Sequence, residues 1–169
     1  MAGSFHVRRD LVAIGVLVVG TIIGGLLSTR SPAMTSDAEL RKRFSERRGA
    51  FDSLATLAVA DTQLVGLGPS MVFVKDSATQ NRRLTEQELR ASGRSMFRAL
   101  LQRAGLPSLS REGNGEAIWF VVESHDGSRK GYVYSLKPQQ PVLNSLDGAR
   151  QNGFVLLAPG WFLFLQPAD

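Results

Sequence analysis

Cysteine is absent from the 169 residues. No disulfide, thiolate metal site, cysteine nucleophile or lipid-modified cysteine can be built from this chain. The absence does not fix a compartment, because a cysteine-free domain serves in either redox environment. Histidine is nearly absent too, limited to His6 and His125. A zinc-type centre needs three or four converging ligands, so only an all-oxygen site would remain. Asp76, Asp126 and Asp147 lack the spacing of a calcium-binding loop, and no metal or other cofactor is expected. Excess charge is also scarce. The net charge is +5, and residues 1–33 supply two of those units through Arg8, Arg9 and Arg30 against Asp10. The remainder is too weakly basic for a nucleic-acid footprint. Its aromatic residues do not interleave with basic ones as in a single-strand binder, so no nucleic-acid partner is expected.

Catalytic patterns are equally scarce. Gly66-Leu67-Gly68 and Gly113-Asn114-Gly115 lack the Lys-Ser/Thr of a phosphate-binding loop. Ser108 and Ser110 stand in no nucleophile elbow. His125, between Ser124 and Asp126, invites a triad reading, but sequence neighbours seldom converge as nucleophile, base and orienting group. Glu112, Glu116 and Glu123 are a nominal source of paired carboxylates for glycoside hydrolysis, with nothing in their spacing to single them out.

What the chain does have is one long apolar run. Leu11 to Thr29 holds 19 residues without a charge. At about 1.5 Å rise per residue, a helix of that length spans the roughly 30 Å hydrocarbon core of a bilayer. Arg8 and Arg9 precede it as a positive flank. We expect a basic tail over 1–10, a retained signal-anchor over 11–29 and a polar linker over 30–37. Residues 38–169 then form a small extracytoplasmic α+β domain. Cleavage after Ser31-Pro32-Ala33 is the alternative, giving a secreted domain. The close flanks favour an inside N-terminus, whereas Arg41, Lys42 and Arg43 weigh for the reverse. Gly20 and Gly24 have the spacing that lets two membrane helices approach closely.

Beyond the linker, a helix is expected from about Asp37 to Val59, capped by Ser36 or Asp37. Leu40, Phe44, Phe51, Leu54 and Ala58 form its apolar stripe. Its opposite side carries Arg41, Lys42, Arg43, Arg47 and Arg48, interrupted by Glu39 and Glu46. This cluster reads either as a solvated face or as a patch drawn to anionic head groups. A second helix runs from Thr85, which makes a capping box with Glu88, to Gly105, a natural C-terminal stop.

Strands are expected at Met71–Val74, Ala117–Glu123, Gly131–Leu136, Gly153–Ala158 and Trp161–Gln166. Asp126-Gly127 is a hairpin signal and Pro159-Gly160 a breaker. Their short connections predict a mostly antiparallel sheet of four to five strands ending in a β-meander. Two of the strands, AIWFVV and WFLFL, are apolar at both parities, so both sheet faces need cover. Two helices, one on each face, would supply it. Otherwise an apolar face marks a protein partner or a homo-oligomer interface. Trp119, Tyr132, Tyr134, Trp161 and Phe162 are the candidate contact residues, since aromatics supply most interface hot spots.

Lys130-Gly-Tyr-Val-Tyr134, Pro141-Val-Leu-Asn-Ser-Leu-Asp147 and Trp161-Phe-Leu-Phe164 together resemble segments of small bacterial envelope proteins of unassigned function. Those combine an N-terminal anchor or lipoprotein signal, a helical region and an aromatic-ended β segment. The resemblance spans about residues 44–166. Without a lipoprotein cysteine only the anchored form applies, which implies the bacterial inner membrane with a periplasmic domain. It implies no activity. The expected function is a non-enzymatic interaction or accessory domain. An envelope hydrolase using Ser, Asp or Glu and a cytoplasm-facing lipid adaptor are the alternatives.

Overall fold

The structure is a computed structural model and describes residues 34–77, 80–112 and 116–168. The expected tail, the apolar run with Gly20 and Gly24, and linker residues 30–33 lie outside the described residues. Among the described residues, no helix is long and apolar enough to cross a membrane.

The first helical region is two helices rather than one. Helix α1 spans Asp37–Glu46, and Ser36 caps it by accepting the N–H of Glu39 at 3.3 Å. Arg47 leaves helical geometry, and α2 restarts at Arg48–Ala60. The stripe read from sequence survives the break, because Phe44 and Phe51 still meet edge to face at 5.2 Å. Gly49, a poor helix former, sits in the restarted turn. The second region is also split. Helix α3, Glu86–Ala91, starts with the expected capping box between Thr85 and Glu88. Gly93, at φ +71°, then breaks the path. Helix α4, Ser95–Ala104, follows and stops at Gly105, whose φ of +69° is the left-handed geometry of a helix terminus.

The sheet has eight strands instead of four or five. These are β1 (Leu64–Leu67), β2 (Val72–Lys75), β3 (Asn81–Arg83), β4 (Leu109–Glu112), β5 (Ala117–His125), β6 (Ser128–Ser135), β7 (Gly153–Ala158) and β8 (Trp161–Gln166). Their spatial order is β3-β2-β1-β4-β5-β6-β8-β7, and every ladder is antiparallel. The β5–β6 hairpin turns at Asp126 and Gly127, both at positive φ, as the Asp-Gly pair predicts. The C-terminal strands do not form a simple meander. β8 pairs with β6, while β7 lies outside it. Burial explains the exchange: β8 is buried at five consecutive positions, whereas β7 is exposed at Leu156 and half-buried at Leu157 and Ala158. The strand that is apolar on both sides takes the inner place, and the long connection over 136–152 permits the crossing.

Both sheet faces are apolar, but the helices do not divide between them. Leu40 and Phe44 of α1, Phe51, Leu54 and Ala58 of α2, Leu89 of α3, and Phe97 and Leu101 of α4 all join one core with Ile118, Phe120, Tyr132, Trp161 and Leu163. The expectation of one helix per face is therefore corrected: all four described helices contribute to the same side. At its centre the Tyr132 ring packs edge to face on Phe51 at 4.7 Å, and its hydroxyl donates to the Leu40 carbonyl at 2.9 Å. Burial pushes the Tyr132 hydroxyl pKa up.

Candidate functional site

The face that carries no described helix is built by strand register. Residues directly opposite each other in adjacent strands share a face. The ladders therefore string Arg83, Phe73, Gly66, Ser110, Trp119, Val133, Phe162 and Leu156 into one row across all eight strands. A second row joins Val121, Gly131, Phe164 and Phe154. Trp119, Val133, Phe154, Phe162 and Phe164 form a separate buried cluster flanked by Ala117 and Val121. Trp119 meets Phe164 edge to face at 4.7 Å, and Phe154 meets Phe162 at 6.4 Å. No residue of a described helix belongs to this cluster. Solvent reaches its margin: Leu156 is 55% exposed beside Phe162, and Val142 is 51% exposed where it bridges to Phe154.

The five aromatic candidates are thus split by the sheet. Tyr132, Tyr134 and Trp161 lie on the helix side, where Tyr132 and Trp161 are fully buried and Tyr134 half-buried. Trp119 and Phe162 lie on the other face. Phe154, Phe164 and Leu156 belong with them and were missed. The signal was present in the parity of β8, because Phe162 and Phe164 point together and away from Trp161.

The basic cluster is partly tied up. Arg48 donates through Nε to both oxygens of Asp52 at 2.9 Å and lies over the Phe44 ring at 4.9 Å. Arg43 pairs with Glu39 at 3.7 Å and Lys42 with Glu46 at 3.9 Å. The Arg47 guanidinium rests against Gly105 at the end of α4, and Arg41 is exposed. Mixed pairs on a solvated helix face are weak interactions.

A second polar centre was not visible in sequence. Lys130, 2% exposed on β6, places its ammonium 2.9 Å from Asp37 Oδ1 and 2.9 Å from Asp147 Oδ1. Burial works to raise the Asp37 pKa. Hydrogen bonds from Lys130, the Leu146 N–H and Ser145 outweigh it and hold the carboxyl below the usual carboxylate range. Burial likewise opposes the charge of Lys130, and its bonds to Asp147 and Asp37 raise its pKa overall. A third pair, Arg94 with Asp61, is bidentate at 2.6 and 2.9 Å and lowers the Asp61 pKa.

The residues weighed for catalysis do not converge. Ser110 is paired with Trp119 on β5, six residues from His125, or about 20 Å along an extended strand. Glu112 pairs with Arg129, Glu116 with Lys137, and Glu123 with Thr35. Asp76 pairs with Arg82, whereas Asp147 serves Lys130. Among the described residues, no three metal-ligating side chains cluster. The Gly113–Gly115 stretch lies outside the described residues. Comparisons with protein-family models, with curated proteins and with solved structures gave no match.

Proposed function

We propose that this chain is a single-pass, membrane-anchored interaction domain of the bacterial envelope, held by residues 11–29 with its α+β domain on the periplasmic side. The uncharged run behind Arg8-Arg9 supports the anchor, and the resemblance to anchored envelope proteins agrees with it. One observation carries the interaction reading. The sheet presents an aromatic face, separate from the helix-side core, whose margin at Leu156 and Val142 reaches solvent. Large apolar side chains grouped at a sheet margin are what a protein partner or a second copy of the chain would cover. Trp119 and Phe162 supply rigid support beneath that margin, and Leu156 supplies contact.

The hydrolase reading has less support, since Ser110, His125 and the three glutamates are engaged or placed far apart. The lipid-adaptor reading is weakened by the inward ties of Arg48 and the acidic partners of Lys42 and Arg43. The test is photo-crosslinking in intact membranes from position 156, with position 96 on the helix side as control. A discrete adduct from 156, to another protein or to a second copy, and none from 96 supports this reading. No adduct from 156, or equal labelling from both positions, overturns it.

A further inference from the structure

Four short pieces of chain gather around Lys130, two of them adjacent within residues 35–37 and the others distant in sequence. The first is the lead-in to the domain. Thr35 donates its N–H and its hydroxyl to Glu123 on β5, at 2.6 and 3.1 Å, and Glu123 stands opposite Lys130 in the ladder. The second is the first turn of α1, where Asp37 takes Lys130 on Oδ1 and, on Oδ2, the Leu146 N–H at 2.6 Å and the Ser145 hydroxyl at 2.9 Å. The third is the connection between β6 and β7, from which Asp147 accepts the Asp37 N–H at 3.0 and 3.1 Å and the Lys130 ammonium at 2.9 Å. β6 itself supplies Lys130. The docking is reciprocal: each aspartate accepts a backbone N–H from the other's segment, and one buried ammonium lies within ion-pair distance of both.

We propose that this cluster is an acid-sensitive latch, which clamps residues 35–37 and the 145–147 connection onto β6 and opens as a local unit when the Asp37 carboxylate takes up a proton.

The charges around Lys130 are accounted for on each element packed there. β5 offers Glu123, α1 offers Asp37, the connection offers Asp147, and β8 presents uncharged Leu165. The remaining first-turn acid of α1, Glu39, is paired with Arg43. Asp147 is 46% exposed and forms the solvent-facing edge of the cluster. Protonating Asp37 weakens the charge-assisted bonds it accepts from Lys130, the Leu146 N–H and the Ser145 hydroxyl, which favours opening. The folded-state pKa of Asp37 is depressed, so its contribution is present above the unfolded value and is lost as pH falls through the folded one. The ladders of β5, β6 and β8 need none of these side chains, so the sheet outlasts the latch.

The experiment is hydrogen exchange by mass spectrometry on the full chain in lipid nanodiscs across an acid series, expressed as protection factors to remove the intrinsic pH dependence. Peptides covering 34–40 and 143–149 are expected to lose protection by about tenfold per pH unit for each linked proton, while peptides from β6 and β8 hold theirs. Lys130→Met, which keeps the apolar stem without the charge, should abolish that acid step. Asp37→Asn, which removes the carboxyl held below its usual range, should make it shallower, and it carries the test alone if Lys130→Met does not fold. Loss of protection only in concert with the sheet, an acid step that survives in Lys130→Met, or an unchanged slope in Asp37→Asn would contradict the latch.

Discussion

The indole N–H of Trp161 donates to Oδ1 of Asp52 at 3.0 Å, joining the inner strand β8 to the exposed side of α2. The same carboxylate receives Arg48, so Asp52 serves a nearly fully buried tryptophan and a surface arginine together. Asp52→Ala leaves the buried indole donor unpaired, which costs about 1–3 kcal/mol. Urea unfolding should show a lower midpoint with an unchanged slope, whereas Arg48→Ala, which removes only the partly exposed partner, should move the midpoint much less.

The face without a described helix is a structural core as well as support for the proposed contact margin. Phe164→Ala is expected to destabilise by about 3–5 kcal/mol, as much as Phe51→Ala on the helix side. Leu156→Ala should stay within about 0.5 kcal/mol, because the side chain is already in solvent. Chemical denaturation of the three variants checks both statements. A mild Phe164→Ala would mean that this face is not consolidated in the folded domain.

Gly131 marks the tightest backbone approach in the sheet. A Cβ there would stand 2.1 Å from the Phe120 carbonyl oxygen and 2.9 Å from the Val122 nitrogen, both main chain. The β5 ladder is irregular between Val121 and Glu123, beside this glycine. Gly131→Ala must displace a central strand and should cost several-fold more stability than Gly68→Ala, which faces open space. Thermal denaturation of the pair is the comparison.

Acid should also weaken the domain at Asp61. Hydrogen bonds from Arg94 lead the causes that hold its carboxyl below the usual range. A depressed carboxylate pKa stabilises above the unfolded value of about 4 and loses that contribution as pH falls through the folded value. Asp61→Asn should lower stability at neutral pH and leave a flatter acid limb in urea midpoints measured across pH. An acid limb identical to the parent's would show that the pair contributes nothing.

Local signals survived the step from sequence to structure, and distant ones did not. The Thr85–Glu88 capping box, the stop at Gly105 and the Asp126-Gly127 hairpin are each written in four residues or fewer, and each is present. The three extra strands, LVGL, NRR and LSRE, are three or four residues long with no period-two alternation, so tertiary pairing alone makes them strands. The placement of β8 inside β7 followed from the doubly apolar composition of WFLFL, a signal that was read for cover but not for order. The Lys130 cluster could not be seen at all, because Asp37 and Asp147 are 110 residues apart and meet only in the fold. Among the aromatic candidates, parity separates Trp161 from Phe162, while the strand register is needed to group Phe162 with Trp119.

The most direct measurement is membrane topology. The C-terminus is fused in parallel to a reporter active only outside the cytoplasm and to one active only inside, and each fusion is fractionated. The account predicts outside activity in a membrane fraction that resists alkaline extraction, with residues 11–29 as the anchor. Inside activity, or a fusion released in soluble form, would contradict it.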